Sequence, residues 1–169
     1  SPADLIQRTL QLHEYSLRQN GITVDFAPNP AVPRAIGDAN QLMQVFLNLI
    51  TNAEQAIREV RDHGTLRVRV EAEGDRVGIH FQDDGPGIRP EILPKLFDPF
   101  FTTKRPGRGT GLGLSICMAI VREHGGEIHA DSPPEGGAVF TVSLPIGAQP
   151  DAASAASPID TQTLPRIEP

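Results

Sequence analysis

The sequence predicts an α+β fold, a two-layer α/β sandwich in which a mixed sheet of about five strands carries about three helices on one face. Two observations predict it. Residues 66–81 and 127–144 each hold two runs of alternating apolar and polar residues around a turn, which reads as a pair of hairpins. Stretches with helical spacing of apolar residues precede and separate those hairpins. A chain of 169 residues is long enough to close one such core without staples.

The elements follow in order. Leu5, Ile6, Leu10, Leu12 and Leu17 give residues 3–19 an amphipathic helical pattern, and Asn20-Gly21 stops it. Ile22 to Phe26 alternate as a strand, ended by the Pro28, Pro30 and Pro33 cluster. Asp38 is placed to cap a helix over 38–62, with Gln41 three residues on as in a capping box and Gly64 as its stop. Leu66–Ala72 and Val77–Phe81 alternate on either side of Gly74-Asp75, a hairpin turn. Residues 83–111 are rich in Gly and Pro, with one short helical turn near Pro90–Leu93. A helix over 112–123 ends at Gly125-Gly126, and strands at 127–131 and 138–144 complete the order. After Gly147 the composition turns to Ala, Ser, Pro and Asp, so 148–169 reads as a disordered linker or tail to a domain spanning 1–147.

Composition narrows the function. A net charge of −6 argues against a general nucleic-acid binder, which needs a basic surface. No apolar run approaches the roughly 20 residues that span a bilayer. Cys117 is the only cysteine, which excludes an internal disulfide and fits a reducing compartment.

Four segments carry candidate chemistry. On the helix over 38–62, the apolar set Leu42, Phe46, Leu49, Ala53 and Ile57 is flanked by a polar stripe of Gln44, Asn48, Asn52 and Gln55. Two asparagines at i and i+4 project together, and neutral amide oxygens suit a hard cation that keeps most of its waters; a plain polar surface explains the same stripe. Asp83-Asp84-Gly85-Pro86-Gly87-Ile88 follows a strand and bends sharply, which would set Asp84 at a crevice where its carboxylate could accept from an exocyclic amine; a solvated turn is the alternative. Gly107-Arg108-Gly109-Thr110-Gly111-Leu112-Gly113-Leu114-Ser115 leads into a helix, exposing backbone N–H groups where the dipole favours an anion. Its spacing matches neither a P-loop nor a dinucleotide fingerprint. Between the two turns, Leu96–Lys104 holds three phenylalanines that could anchor a long functional loop or meet a partner, and Lys104, Arg105 and Arg108 could reach phosphates.

In this order the segments resemble the catalytic domain of sensor histidine kinases, within the gyrase, chaperone, histidine kinase and mismatch-repair ATPase superfamily. Asn48 to Ala53 is similar to the N box, Asp84-Gly85-Pro86-Gly87 to the first glycine box, Phe97–Lys104 to the F box and Gly109–Gly113 to the second glycine box. Asn52–Ile57 and Pro99–Lys104 look most like the nitrogen-regulation type. The resemblance implies a Bergerat fold holding ATP and Mg²⁺ between the asparagine helix and a glycine-rich lid. It implies Asp84 on the adenine amine, Gly87 beside the base, Asn52 on the metal and Asn48 near the metal and terminal phosphates. It implies Lys104 on the phosphates, lined by Gly109, Thr110, Gly111, Leu112, Gly113 and Leu114, with Gly85, Ile88, Phe97, Thr102, Thr103 and Thr141 around the nucleotide. Hydrolases and serine kinases of the superfamily resemble one another in a Glu four residues before the metal-binding Asn. Here that position is Asn48, which cannot act as a base, and an imidazole acceptor needs little activation.

The resemblance also implies an acceptor histidine on a separate dimerisation and phosphotransfer hairpin, and a response-regulator receiver domain beyond it. Among His13, His63, His80, His124 and His129 only His13 precedes an acidic residue, with too little chain before it for a hairpin, so the acceptor is expected outside this chain. His124, closing a helix, is expected to favour a cation there. The expected setting is cytoplasmic, with no nucleic acid and no direct membrane contact by the domain. A nucleotide-binding regulatory module and an ATP-hydrolysing clamp are the other readings.

Overall fold

A computed structural model describes residues 1–103 and 110–147. In chain order it holds α1 (Pro2–Gln19), β1 (Ile22–Phe26), α2 (Ala39–Val60), β2 (Gly64–Glu73), β3 (Arg76–Asp83), a single 3₁₀ turn at Leu93–Lys95, α3 (Gly113–Glu123), β4 (Glu127–Asp131) and β5 (Val139–Pro145). The five strands form one sheet in the order β1-β2-β3-β5-β4. β1 runs parallel to β2, and the other pairs are antiparallel. A parallel pair needs a crossover, which α2 supplies. The predicted α+β sandwich, mixed sheet and three helices are therefore all present.

The three helices lie on one face because the strands bury only one set of side chains. Cross-strand partners Val68, Phe81 and Phe140 lie in one row, and Val70, Ile79 and Val142 in the next, all buried. The intervening residues, Asp25, Arg67, Arg69, His80 and Thr141, point the other way and pair with one another, as in Arg69 Nη2 on Asp25 at 2.7 Å. α2 crosses the centre of the covered face over β2 and β3, with α1 over β1 and α3 over β4. Its stripe of Leu42, Val45, Phe46, Leu49, Ile50, Ala53 and Ile57 is buried, and Phe46 meets Phe81 with ring centroids 5.7 Å apart. Each of the larger side chains contributes about 1.5–3 kcal/mol by leaving water, so the polar stripe of α2 is held in place by the apolar one beside it.

Several local expectations shift. Asp38 does cap α2, accepting from Asn40 N at 2.8 Å and Gln41 N at 2.9 Å. The return bond of a capping box is not made by Gln41. Asp38 N–H instead donates to His124 Nε2 at 2.9 Å, while His124 Nδ1 lies 2.7 Å from Ile120 O. The ring thereby links the start of α2 to the last turn of α3. Gly64 does not stop α2, which ends at Val60; it opens β2, where a Cβ would come within 2.5 Å of Asp84 Oδ1 and of Ile57 Cγ2. The short turn falls at Leu93–Lys95, after the proline at 90. The reading of 148–169 lies outside the described residues.

Candidate functional site

A cavity of about 340 Å³ opens between α2, the end of β3 and the start of α3. The polar stripe of α2 forms one wall with Asn48, Thr51, Asn52, Gln55, Ala56 and Glu59. Pro86, Gly87 and Ile88 form a second wall, Asp83, Ala138 and Phe140 the floor. Leu96, Phe101, Thr102 and Thr103 reach it from one side of the long loop, and Thr110, Gly111, Gly113 and Leu114 from the other. Thus Asn48, Asn52, Gly87, Ile88, Thr102, Thr103, Thr110, Gly111, Gly113 and Leu114 share one cavity, as the sequence suggests. Lys104 and Gly109 lie outside the described residues.

The aspartate is corrected by one position. Asp84 turns away from the cavity: its Oδ1 accepts from Thr65 N at 3.0 Å and its Oδ2 lies 3.5 Å from Arg61 Nη1. Asp83 is the buried carboxylate, 3% exposed, on the cavity floor. The reason is strand parity. Val77, Ile79 and Phe81 face the helices, so Asp83 does too and Asp84 cannot. Both N–H groups that reach Asp83, from Gly85 at 2.8 Å and Ala138 at 3.3 Å, go to Oδ1. Among the described residues none donates to Oδ2. Burial raises the pKa of Asp83, the two N–H groups oppose that rise, and the Asp84 charge adds to it.

Parity also removes Thr141, which sits on the open face with its hydroxyl 3.1 Å from His80 Nδ1; Ala138 takes the place at the cavity. Phe97 packs against the core and does not line the cavity. The three phenylalanines divide the work: Phe97 anchors, Phe101 lines, and Phe100 is 74% exposed. Gly85 serves by its N–H to Asp83 and borders the polar cleft behind the floor. Leu112 is the N-cap of α3, with its carbonyl accepting from Ile116 N at 3.0 Å, and is not at the wall.

Two glycines are needed for their shape. Gly87 has φ +77, and a Cβ there would meet Ser132 Oγ at 2.6 Å. Gly111 has φ +67, and a Cβ would come within 2.4 Å of the Phe100 backbone. Phe100 itself adopts φ +66 and donates from its N–H to Gly111 O at 2.9 Å, drawing together the two sides of the long loop.

The first turn of α3, at Gly113 and Leu114, faces the cavity with its free N–H groups and the positive end of the helix dipole. Asn48 Nδ2 is directed to Gly113 O at 3.4 Å and Cys117 Sγ at 3.6 Å. Burial pushes the Cys117 thiol up to about 11, so it is no nucleophile at neutral pH. Among the described lining residues the only charged groups are Glu59 and Asp83. Sequence reasoning missed Glu59, though one more turn of the Asn48, Asn52, Gln55 stripe reaches it. It missed Asp83, though the alternation of β3 points there.

No helix among the described residues is long and apolar enough to cross a membrane. Residues 37–148 match the family described as histidine kinase-, DNA gyrase B- and HSP90-like ATPase. The chain is 40% identical over 147 residues to the sensor histidine kinase ZraS of Klebsiella oxytoca, covering 86% of this chain and 31% of ZraS. It is similar to the catalytic domain of histidine kinase ThkA, with 33% identity and a TM-score of 0.74 over 85% of this chain and 91% of that one. It is also similar to ThkA in complex with response regulator protein TrrA, with 32% identity and a TM-score of 0.71 over 85% of this chain and 40% of that one. The chain spans under a third of the length of the curated relatives it matches. The chain therefore belongs to the histidine kinase-, DNA gyrase B- and HSP90-like ATPase family as a histidine kinase catalytic domain.

Proposed function

We propose that the cavity binds Mg-ATP and presents its γ-phosphoryl group to a histidine on a dimerisation and phosphotransfer hairpin outside this chain. The observation that carries the reading is Asp83, a buried carboxylate on the cavity floor whose two described donors both go to Oδ1, in a cavity whose other end is the N-terminus of α3. The exocyclic amine of adenine supplies the missing donor, so the role first read for Asp84 passes to Asp83. Gly87 and Ile88 flank the base. The triphosphate then runs toward Asn48 and the first turn of α3, with Thr110, Gly111 and Gly113 beside it and Lys104 and Gly109 reading as further phosphate contacts.

The residues present fit a magnesium ion of the kind that travels with phosphates. No cluster of three or more acidic, His or Cys side chains that could hold a metal occurs among the described residues, and the amides of Asn48 and Asn52 line the cavity together. Asn52 is the ligand, with Asn48 close by; when bound, the ion neutralises charge on the phosphates. The protein's own part is positioning.

The place of Glu59 and the amide of Asn48 both favour the kinase over the hydrolase. Glu59 lies eleven residues beyond Asn48 on α2, about 16 Å along the helix at 1.5 Å per residue. That puts it past the base, far from the terminal phosphate. Asn48 itself cannot take a proton from water. The same arrangement suits a neutral imidazole, which needs no base. A receiver domain of a response regulator is the onward partner, and the cytoplasm the setting. The nitrogen-regulation type rests on Asn52–Ile57 and Pro99–Lys104.

The test mixes the domain with γ-labelled ATP and a cognate hairpin. Label on a histidine of the hairpin is the expected result. Binding without transfer would reduce the domain to a regulatory module, and free phosphate from the domain alone would make it a hydrolase.

A further inference from the structure

Two loops remote in sequence build the wall of the cavity beside Asp83, and one hydroxyl joins them. Ser132, in the connection from β4 to β5, accepts from Ile88 N–H at 2.9 Å and donates to Gly137 O at 3.1 Å. Gly87 and Gly137 stand at φ +77 and +78, so two left-handed turns meet with the Ser132 oxygen between them. A Cβ on Gly87 would come within 2.6 Å of that oxygen and 3.0 Å of Gly137 O. Gly87 and Ile88 line the cavity from the first loop and Ala138 from the second.

The floor has separate ties. Asp83 N–H donates to Ala138 O at 3.0 Å, Ala138 N–H to Asp83 Oδ1 at 3.3 Å, and Gly85 N–H to Asp83 Oδ1 at 2.8 Å. None of these reaches Ile88. The turn that walls the cavity is held to the floor's loop through the Ser132 hydroxyl.

We infer that Ser132 is a positioning residue for the nucleotide base: it sets the spacing between the Gly87–Ile88 turn and Ala138, and so the width of the slot above Asp83. This rests on the ATP reading above. A hydroxyl suits the task because one atom both accepts and donates. Alanine would leave Ile88 N–H and Gly137 C=O unpaired, and a turn rich in glycine has little else to resist their drift toward water.

The experiment compares the parent domain, Ser132→Ala and Ser132→Thr by titration with ATP and by amide exchange of Ile88, Asp83 and Ala138. Ser132→Ala is expected to bind ATP about tenfold more weakly, as for a lost positioning hydrogen bond. Its Ile88 amide exchanges faster, while Asp83 and Ala138 stay protected. Ser132→Thr keeps the hydroxyl and restores both. ATP affinity unchanged while Ile88 exchanges faster overturns the inference, as does equal acceleration of all three amides or a threonine variant that behaves as the alanine one. If the parent domain binds no ATP, the nucleotide reading fails, and this inference falls with it.

Discussion

Two carboxylates among the described residues are buried, and their surroundings make them opposites. Glu54, 5% exposed, lies where α2 meets α1. Its two oxygens accept from His13 Nε2 at 2.6 Å, from Ser16 Oγ at 2.8 Å and from Asn20 Nδ2. Burial works to raise its pKa, but the donors from His13, Ser16 and Asn20 together outweigh it and hold the group below the usual carboxylate range. Asp83, 3% exposed, receives two backbone N–H groups on one oxygen, has no described donor on the other, lies on the cavity floor, and has its pKa raised. A buried charge that is fully bonded ties helices together; one that is half bonded is kept for a ligand.

The largest effect that tests this contrast is at Glu54. Glu54→Ala strips the acceptor from three α1-side donors and is expected to cost about 3–5 kcal/mol in denaturant unfolding, as for one partner removed from a buried pair. ATP affinity should stay within about twofold, since none of the donors touches the cavity. A large loss of affinity with little loss of stability would reverse the assignment of the two residues.

Next comes Asp83→Asn, which sets an NH₂ against the incoming amine. ATP affinity is expected to fall on the order of a hundredfold, the weight of a hydrogen bond to a charged group. Asp84→Asn is expected to leave affinity within about twofold and to lower stability by about 1 kcal/mol through its Thr65 and Arg61 contacts. The pH dependence separates the carboxylates further. The pKa of Asp83 is raised on folding, so its carboxylate costs stability above that pKa and the cost disappears in acid. Asp83→Asn should therefore match or exceed the parent in thermal midpoint at neutral pH and lose that advantage below the ordinary carboxylate range. The pKa of Glu54 is lowered, so its contribution is present above the unfolded value and lost as pH falls through the folded one. The effect at the metal end is smaller than that at Asp83. Asn52→Ala should weaken ATP about tenfold with magnesium present and hardly at all in chelator; equal loss in both conditions would take the metal role from Asn52.

Most of the fold was legible before any coordinates. The alternation in 66–81 and 127–144, the apolar stripe of α2 and the turn at Gly74 are local patterns, and local sterics carry them into structure. That ten of the expected residues line one cavity was legible for the same reason, because a helix stripe and two glycine turns declare which way they face. Asp84 and Thr141 were misread by attending to motif position instead of strand parity, although Val77, Ile79 and Phe81 already showed the parity. Phe97 and Leu112 were misread because nothing local says whether a loop side chain turns to the core or to the cavity.

By itself, then, the sequence determined the order of helices and strands, the face each one buries, and the presence of an amide stripe and of backbone donors at the start of α3. Only the tertiary structure decided what meets across the chain. His124, and not Gln41, completes the cap of α2, and Ser132 joins turns 44 residues apart, from Ile88 to itself. The physical reason is range: periodicity and turn chemistry act within a few residues, whereas these partners are brought within hydrogen-bonding distance only once sheet register and core packing have set the layers in place.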